Sequence, residues 1–321
     1  MKKSFFLSIA AACAVLTAAG QRSREAVLDT PTGKIYGTLT LPETECTTAV
    51  LLIAGSGPTD RNGNNPAGIT ANSYAILADS LAARGIASLR YDKRGIGASA
   101  PAMTSESDIR MEHYIEDAAA WASQLASQEG FARVVLAGHS EGAIIALYAA
   151  GREKCVAGVA TLAGPGYDMA DLLLMQLAST PLDIQLQCTG IIASLRAGQT
   201  VPHVPQALYA LFRPEVQPYL ISSFRYDPAA EAARLQVPLL VIQGTADIQV
   251  GTDSADRLAS AARPGTEKVI VEGMDHVLKL CTADPGDRAG LLANYTAPMR
   301  PVAGELVAAL ARFCDTLQPA R

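Results

Sequence analysis

The chain has 321 residues, 49% apolar and 18% charged, enough for one large domain or two smaller ones around a real core. That apolar content excludes a disordered chain. The balance of 26 basic against 31 acidic residues, a net charge of -5, with no basic run longer than two, excludes a general nucleic-acid binder. Chain order then begins with Lys2 and Lys3, an apolar run over residues 5–19, and the small residues Thr17, Ala18, Ala19 and Gly20. This pattern predicts a secretory signal peptide over residues 1–20, cleaved near Ala19 or Gly20, and a mature protein exported to a bacterial periplasm. The run is shorter than the ~20 residues of a membrane span, and Cys13 lies inside it rather than at a lipoprotein junction. No later segment is long and apolar enough to cross a bilayer.

Export places Cys46, Cys155, Cys188, Cys281 and Cys314 in an oxidising compartment. Five is odd, so at least one thiol stays free or pairs between chains. Isolated core cysteines with one or two bridges, and a framework of two, are both open. No CxxC or Cys/His spacing suggests a metal.

Residues 25–30 and 34–41 read as strands around the turn Pro31-Thr32-Gly33. Residues 48–53 form a short apolar strand that stops at Gly55-Ser56-Gly57-Pro58. A helix over 73–83 and a strand over 86–91 follow, the strand ending in Asp92-Lys93-Arg94-Gly95. Met111, Ile115, Ala118, Ala122 and Leu125 lie on one face of the next helix. A strand over 133–137, a helix over 141–150 and a strand over 156–162 continue the alternation. From 167 to 233 it breaks: helical patterns at 169–178 and 229–235 are interrupted by Pro181, Pro202, Pro205, Pro214 and Pro218. Alternation resumes with a strand at 238–243, a helix at 252–262 and a strand at 268–271. The last helix, near 302–317, keeps Val302, Leu306, Leu310, Phe313 and Leu317 on one face. Apolar strands separated by helices predict an α/β fold with a mainly parallel sheet covered on both faces. The core then comprises 21–166 and 234–321, and 167–233 reads as a helical lid inserted over the C-terminal edge of the sheet.

The strongest motif is Gly138-His139-Ser140-Glu141-Gly142, set between the strand residues Val134-Val135-Leu136 and an all-round apolar helix. As a bare string it is weak, and a Gly-rich turn with a capping serine would look the same. In this context it predicts a nucleophile elbow: small residues two positions either side of Ser140 let strand and helix approach, and the hydroxyl is exposed at a helix N-terminus. A serine needs a base. Of His113, His139, His203 and His276, the last follows a strand in a Gly273-Met274-Asp275-His276 loop at the sheet's C-terminal edge. Asp247, after the strand residues Leu239-Leu240-Val241-Ile242, is the acid that would orient it, with Asp253 and Asp275 as rivals. The oxyanion donors are the backbone N–H of Glu141 and that of Ser56, with Gly57 the alternative. A nucleotide-phosphate loop at Gly55 fails for want of a third glycine or a Gly-Lys-Ser/Thr sequence.

Together, residues 55–64 (GSGPTDRNGN), Asp92-Lys93-Arg94-Gly95-Ile96-Gly97-Ala98-Ser99, the elbow, residues 243–250 and Asp275-His276 resemble the α/β-hydrolase superfamily over nearly the whole mature chain. The resemblance is closest to bacterial esterases and serine-aminopeptidase-like hydrolases with a GSGPxDRxGN loop. It implies an α/β-hydrolase fold and a serine hydrolase with the triad Ser140, Asp247 and His276. It needs no metal or organic cofactor and acts on a small-molecule ester of short acyl chain; a peptidase, amidase or thioesterase is the alternative. Asp60, Arg61, Asp92 and Arg94 are expected to lock loops rather than bind substrate. The stretch 281–301 is long for the link between base and last helix and is expected at the pocket rim.

Overall fold

In a computed structural model that describes residues 22–284 and 286–319, the chain alternates strand and helix. The signal-peptide segment 1–20 lies outside the described residues. Strands β1 Arg22–Thr30 and β2 Gly33–Leu41 form a hairpin, and β3 Thr48–Ile53 is buried along its full length. A short ladder, β4 Asn64–Asn65 with β5 Ile69–Thr70, precedes helix α1 Ser73–Ala82 and strand β6 Ala87–Tyr91. Helix α2 Met111–Ser127, strand β7 Arg133–His139, helix α3 Glu141–Ala150 and strand β8 Val156–Leu162 complete the first half.

The eight strands of the main sheet run in the order β1-β2-β6-β3-β7-β8, then β9 Leu239–Gly244 and β10 Glu267–Val271. From β6 to β10 all pairings are parallel, while β2 is antiparallel to both its neighbours. Alternate side chains of the central strands feed two cores. Ala49, Leu51 and Ile53 of β3 pack with Ile115 and Trp121 of α2 and Ile144 of α3. Val50 and Leu52 pack on the opposite face with Leu77 of α1 and with Leu306, Leu310 and Phe313 of the last helix. Because β3 and β7 are buried on both faces, apolar residues occupy consecutive positions 49–53 and 134–137, and the alternation that marks a one-sided strand is absent.

The connections from β3 run to opposite sides, first to β6 and then across to β7. Such a reversal opens a crevice beyond the carboxyl ends of the strands, where open α/β sheets bind ligands. The loops after β3 and β7 both enter it, since Ile53 pairs with Gly138 in register.

Between β8 and β9 the chain is helical: α4 Met169–Leu177, α5 Leu182–Arg196, α6 Tyr209–Phe212, α7 Gln217–Ser223 and α8 Pro228–Arg234. Some of the prolines that read as breaks in the sequence sit at helix starts, while Pro214 follows the end of α6. Pro181 occupies the position before α5, Pro218 lies in the first turn of α7, and Pro228 opens α8. There the missing N–H is one the helix could not use. Helix α5 escapes the sequence pattern, although Cys188, Ile191, Ile192 and Leu195 form its buried stripe. Helices α9 Thr252–Ala261, α10 Arg288–Leu292 and α11 Gly304–Thr316 close the fold. All five cysteines of the described chain are free thiols, so neither bridged arrangement forms. Among the described residues no helix is long and apolar enough to cross a membrane, and no cluster of side chains could hold a metal ion.

Candidate active site

Ser140 stands between β7 and α3 with φ 52° and ψ −124°, a left-handed conformation strained for a residue with a Cβ. Tight approach enforces it. A Cβ on Gly138 would lie 2.0 Å from the Gly142 carbonyl oxygen, and one on Gly142 would lie 2.3 Å from that of Ile53. Only glycine fits at either place, which is the physical content of the GxSxG spacing. Ser140 N–H donates to Leu162 O at 3.0 Å, pinning the elbow to β8. The strand runs two residues beyond its expected end at 137, as far as His139, so the turn is confined to Ser140 itself.

Asp247 and His276, on the loops after β9 and β10, meet with His276 Nδ1 and Asp247 Oδ2 2.8 Å apart. The carboxylate is held on every side. Its Oδ1 accepts the amides of Gln249 at 2.8 Å and Val250 at 2.9 Å, and its Oδ2 also accepts from Gln243 Nε2 at 3.0 Å. Burial pushes the Asp247 carboxyl up, but the neighbouring His276 and those two amides outweigh it and leave the group below its ordinary value. An ionised Asp247 can only accept, so His276 carries its proton on Nδ1 and presents the Nε2 lone pair. The rival acids are occupied elsewhere. Asp275 accepts Lys279 N–H at 3.0 Å and Asn294 Nδ2 at 2.6 Å, and Asp253 lies in the first turn of α9.

His139 ties the base to the elbow. Its Nε2 lies 2.7 Å from the His276 carbonyl oxygen and its Nδ1 2.7 Å from the Tyr74 hydroxyl, which in turn accepts Gly55 N–H at 3.2 Å. A carbonyl cannot donate, so the directions are forced: Gly55 N–H to Tyr74, Tyr74 O–H to His139 Nδ1, His139 Nε2–H to His276. Burial, with His276 alongside, pushes His139 down to about 3, which keeps the imidazole neutral and this chain intact. Sequence reasoning gave His139 no such part, because an i−1 neighbour of the nucleophile points away from it. Among the described residues the hydrogen bonds of His276 run from its Nδ1 to Asp247 and to its carbonyl from His139, and none joins it to the Ser140 hydroxyl. Catalytic hydrogen bonds of unliganded sites commonly tighten only with substrate.

Lys93 is the second residue missed by sequence reasoning. Only 2% exposed, it donates from Nζ to Gly55 O at 2.7 Å and to Glu141 Oε1 at 3.0 Å. It thus clamps the loop after β3 to the first residue of α3. Glu141 Oε2 accepts the Tyr219 hydroxyl from α7, whose proton is held by burial and by the adjacent carboxylate. Ser56, Gly57 and Glu141, the three expected oxyanion residues, line one cavity. The Asp-Lys-Arg-Gly run carried the signal for Lys93: a lysine at the end of a buried strand needs a buried partner.

The other flagged charges lock loops, as their pattern implies. Arg61 forks onto Asp92, with Nη2 at 2.8 Å, and Asp60 Oδ1 accepts the amides of Asn62 and Asn64. Arg94 Nε donates to Asp117 at 2.8 Å. The stretch 281–301 braces the base instead of rimming the pocket. Asn294 holds Asp275 and the Leu280 carbonyl, while Tyr295 accepts from Gln249 beside Asp247.

Residues 67–193 match the family described as serine aminopeptidase, S33. The chain is 28% identical over 246 residues to esterase EstD of Thermotoga maritima, an alignment covering 72% of this chain and 54% of that one. It thus spans about half the length of the curated relative it matches. An esterase of Pyrococcus furiosus superimposes with a TM-score of 0.57 at 15% identity, covering 93% of this chain and 94% of its own. Proline iminopeptidase of Mycobacterium smegmatis gives a TM-score of 0.57 at 14% identity, covering 91% and 98%. At these identities the structural likeness identifies the fold.

Proposed function

We propose that this chain, which has an α/β-hydrolase fold, is a serine hydrolase cleaving carboxylic esters through Ser140, His276 and Asp247. The observation that carries the reading is the buried Asp247–His276 pair, which leaves Nε2 free to accept a proton beside a strained elbow serine. Ser140 Oγ attacks the acyl carbon as His276 Nε2 takes its proton, and Asp247 supports the imidazolium. The amides of Glu141 and Ser56, with Gly57 as the alternative to Ser56, hold the negative oxygen of the tetrahedral intermediate. Collapse expels the alcohol, which leaves with the proton from His276. Water then repeats the sequence on the acyl-enzyme and regenerates Ser140. Helices α4 to α8 act as the lid that selects the substrate. Residues 1–20 are read as an export signal, which mass analysis of the secreted protein would show removed near Ala19 or Gly20.

The test is fluorophosphonate labelling combined with turnover of p-nitrophenyl esters. The label is expected on Ser140, and Ser140→Ala is expected to lower kcat by about 10⁴–10⁶-fold while unfolding at nearly the same temperature. Near-normal ester hydrolysis by the alanine variant refutes the assignment.

A further inference from the structure

A cavity of about 460 Å³ lies between the loops after β3 and β6 and the helices α6 and α7. Its walls include Ser56, Gly57 and Glu141, the proposed oxyanion residues, the last of them next to the nucleophile, but not Ser140, His276 or Asp247 themselves. In the reaction proposed above, the imidazole hands its proton to the departing oxygen, so the alcohol must leave on the His276 side. A space that begins at the amides and stops short of the imidazole receives the part of the substrate that stays on the carbonyl carbon. We propose that this cavity binds the acyl group, and that the acyl group is an uncharged apolar chain rather than an aminoacyl group. This rests on the serine-hydrolase reading and sharpens it.

Two observations set the chemistry. The walls are mainly aliphatic and thioether side chains, among them Ile109, Met169, Leu173, Leu211, Val216 and Leu220. Every charged side chain among them already has an opposite partner: Lys93 with Glu141, Arg94 with Asp117, and Arg213 with Glu106, Arg213 Nε lying 3.0 Å from Glu106 Oε2. A substrate α-ammonium would need a carboxylate to replace its water. Glu141 is committed to Lys93 and Tyr219, and Glu106 to Arg213, so the ammonium would be desolvated without compensation. An alkyl chain needs no such partner and gains from every methylene it buries. The Arg213–Glu106 pair also joins the end of α6 to residue 106 of the core.

The experiment holds the leaving group constant. Initial rates are measured with p-nitrophenyl acetate, butyrate, hexanoate and octanoate, and with the propionyl and alanyl p-nitrophenyl esters at pH 6, where the alanyl amine is protonated. kcat/KM is expected to rise beyond acetate, and the α-ammonium of the alanyl ester to lower it about tenfold against propionyl. Leu211→Trp, which fills the cavity from its half-open side, should lower the ratio of hexanoate to acetate kcat/KM by about tenfold. Leu211→Ala should move the preferred chain length upward. Uptake of the fluorophosphonate label reports that each variant is folded. A preference for the alanyl ester that Glu106→Gln abolishes overturns the proposal, as does a chain-length profile unchanged in both Leu211 variants; in either case the serine-hydrolase reading still stands. No ester turnover and no label at Ser140 overturns both.

Discussion

Two buried ion pairs flank Ser140, and they are built for opposite purposes. Asp247–His276 joins a carboxylate to an imidazole that keeps a free nitrogen. Lys93–Glu141 spends its remaining contacts on Gly55 O and Tyr219 and leaves nothing free to react. In the proposed reaction the first pair moves a proton. The other fixes the distance between two loops that present backbone amides. Burial and ion pairing are therefore common to both, and the unspent lone pair is what separates a base from a brace.

Breaking the first pair should have the larger effect on rate. Asp247→Asn preserves shape but allows His276 the wrong tautomer, and is expected to lower kcat by about 10⁴-fold with KM and unfolding temperature nearly unchanged. Steady-state kinetics beside thermal unfolding check both halves. Breaking the second pair should act on stability first. Lys93→Met strands the Glu141 carboxylate inside the protein and is expected to cost about 3–5 kcal/mol in chemical denaturation. The double variant Lys93→Met with Glu141→Gln should recover much of that loss, because no uncompensated charge remains. A single variant as stable as the parent would mean the pair braces nothing.

Two smaller tests sharpen the contrast through the link between base and elbow. Tyr74→Phe removes the hydroxyl that donates to His139 Nδ1 and accepts Gly55 N–H. The loss of such hydrogen bonds predicts a decrease in kcat of about tenfold, with KM little moved. In nitrogen NMR the same change should shift the His139 Nδ1 resonance while Nε2 stays protonated against the His276 carbonyl. The last test is thermodynamic. His139 is held at about 3 in the folded protein against an ordinary 6.5, so the unfolded chain binds a proton that the folded one refuses. Its contribution to stability is full above pH 6.5 and is lost as pH falls toward 3, at up to about 1.4 kcal/mol per pH unit. Asp247, whose carboxyl is lowered from 3.8, adds to the acid loss only below that value. Denaturation midpoints at a series of pH values should therefore slope less steeply in His139→Asn than in the parent.

Much of the molecule is legible in the chain because local rules and tertiary demands coincide there. The strands at 48–53, 133–139 and 156–162 carry continuous apolar runs because both faces are covered, and the glycines at 138 and 142 are required by backbone atoms only a few residues or one strand away. Asp247 and His276 are placed by the strands that end just before them. The stretch 167–233 is harder to read, because prolines such as Pro181 and Pro218 begin helices where the sequence suggests breaks. The stretch 281–301 reads as a rim because its partner, Asp275, lies on a separate loop.

By itself, the sequence determined the alternating fold, the strained turn that carries Ser140, and the acid and base at strand ends. Each depends on residue type and spacing over a few positions. Only the tertiary structure decided what surrounds them: Lys93 reaching across 48 residues to Glu141, Tyr74 set on His139, and Glu106 paired with Arg213 over a separation of 107. Periodicity and motif spacing carry no information about which distant side chain will neutralise a buried charge. That choice follows from the crevice at the reversal of strand order, where segments far apart in the chain lose water together and must satisfy one another.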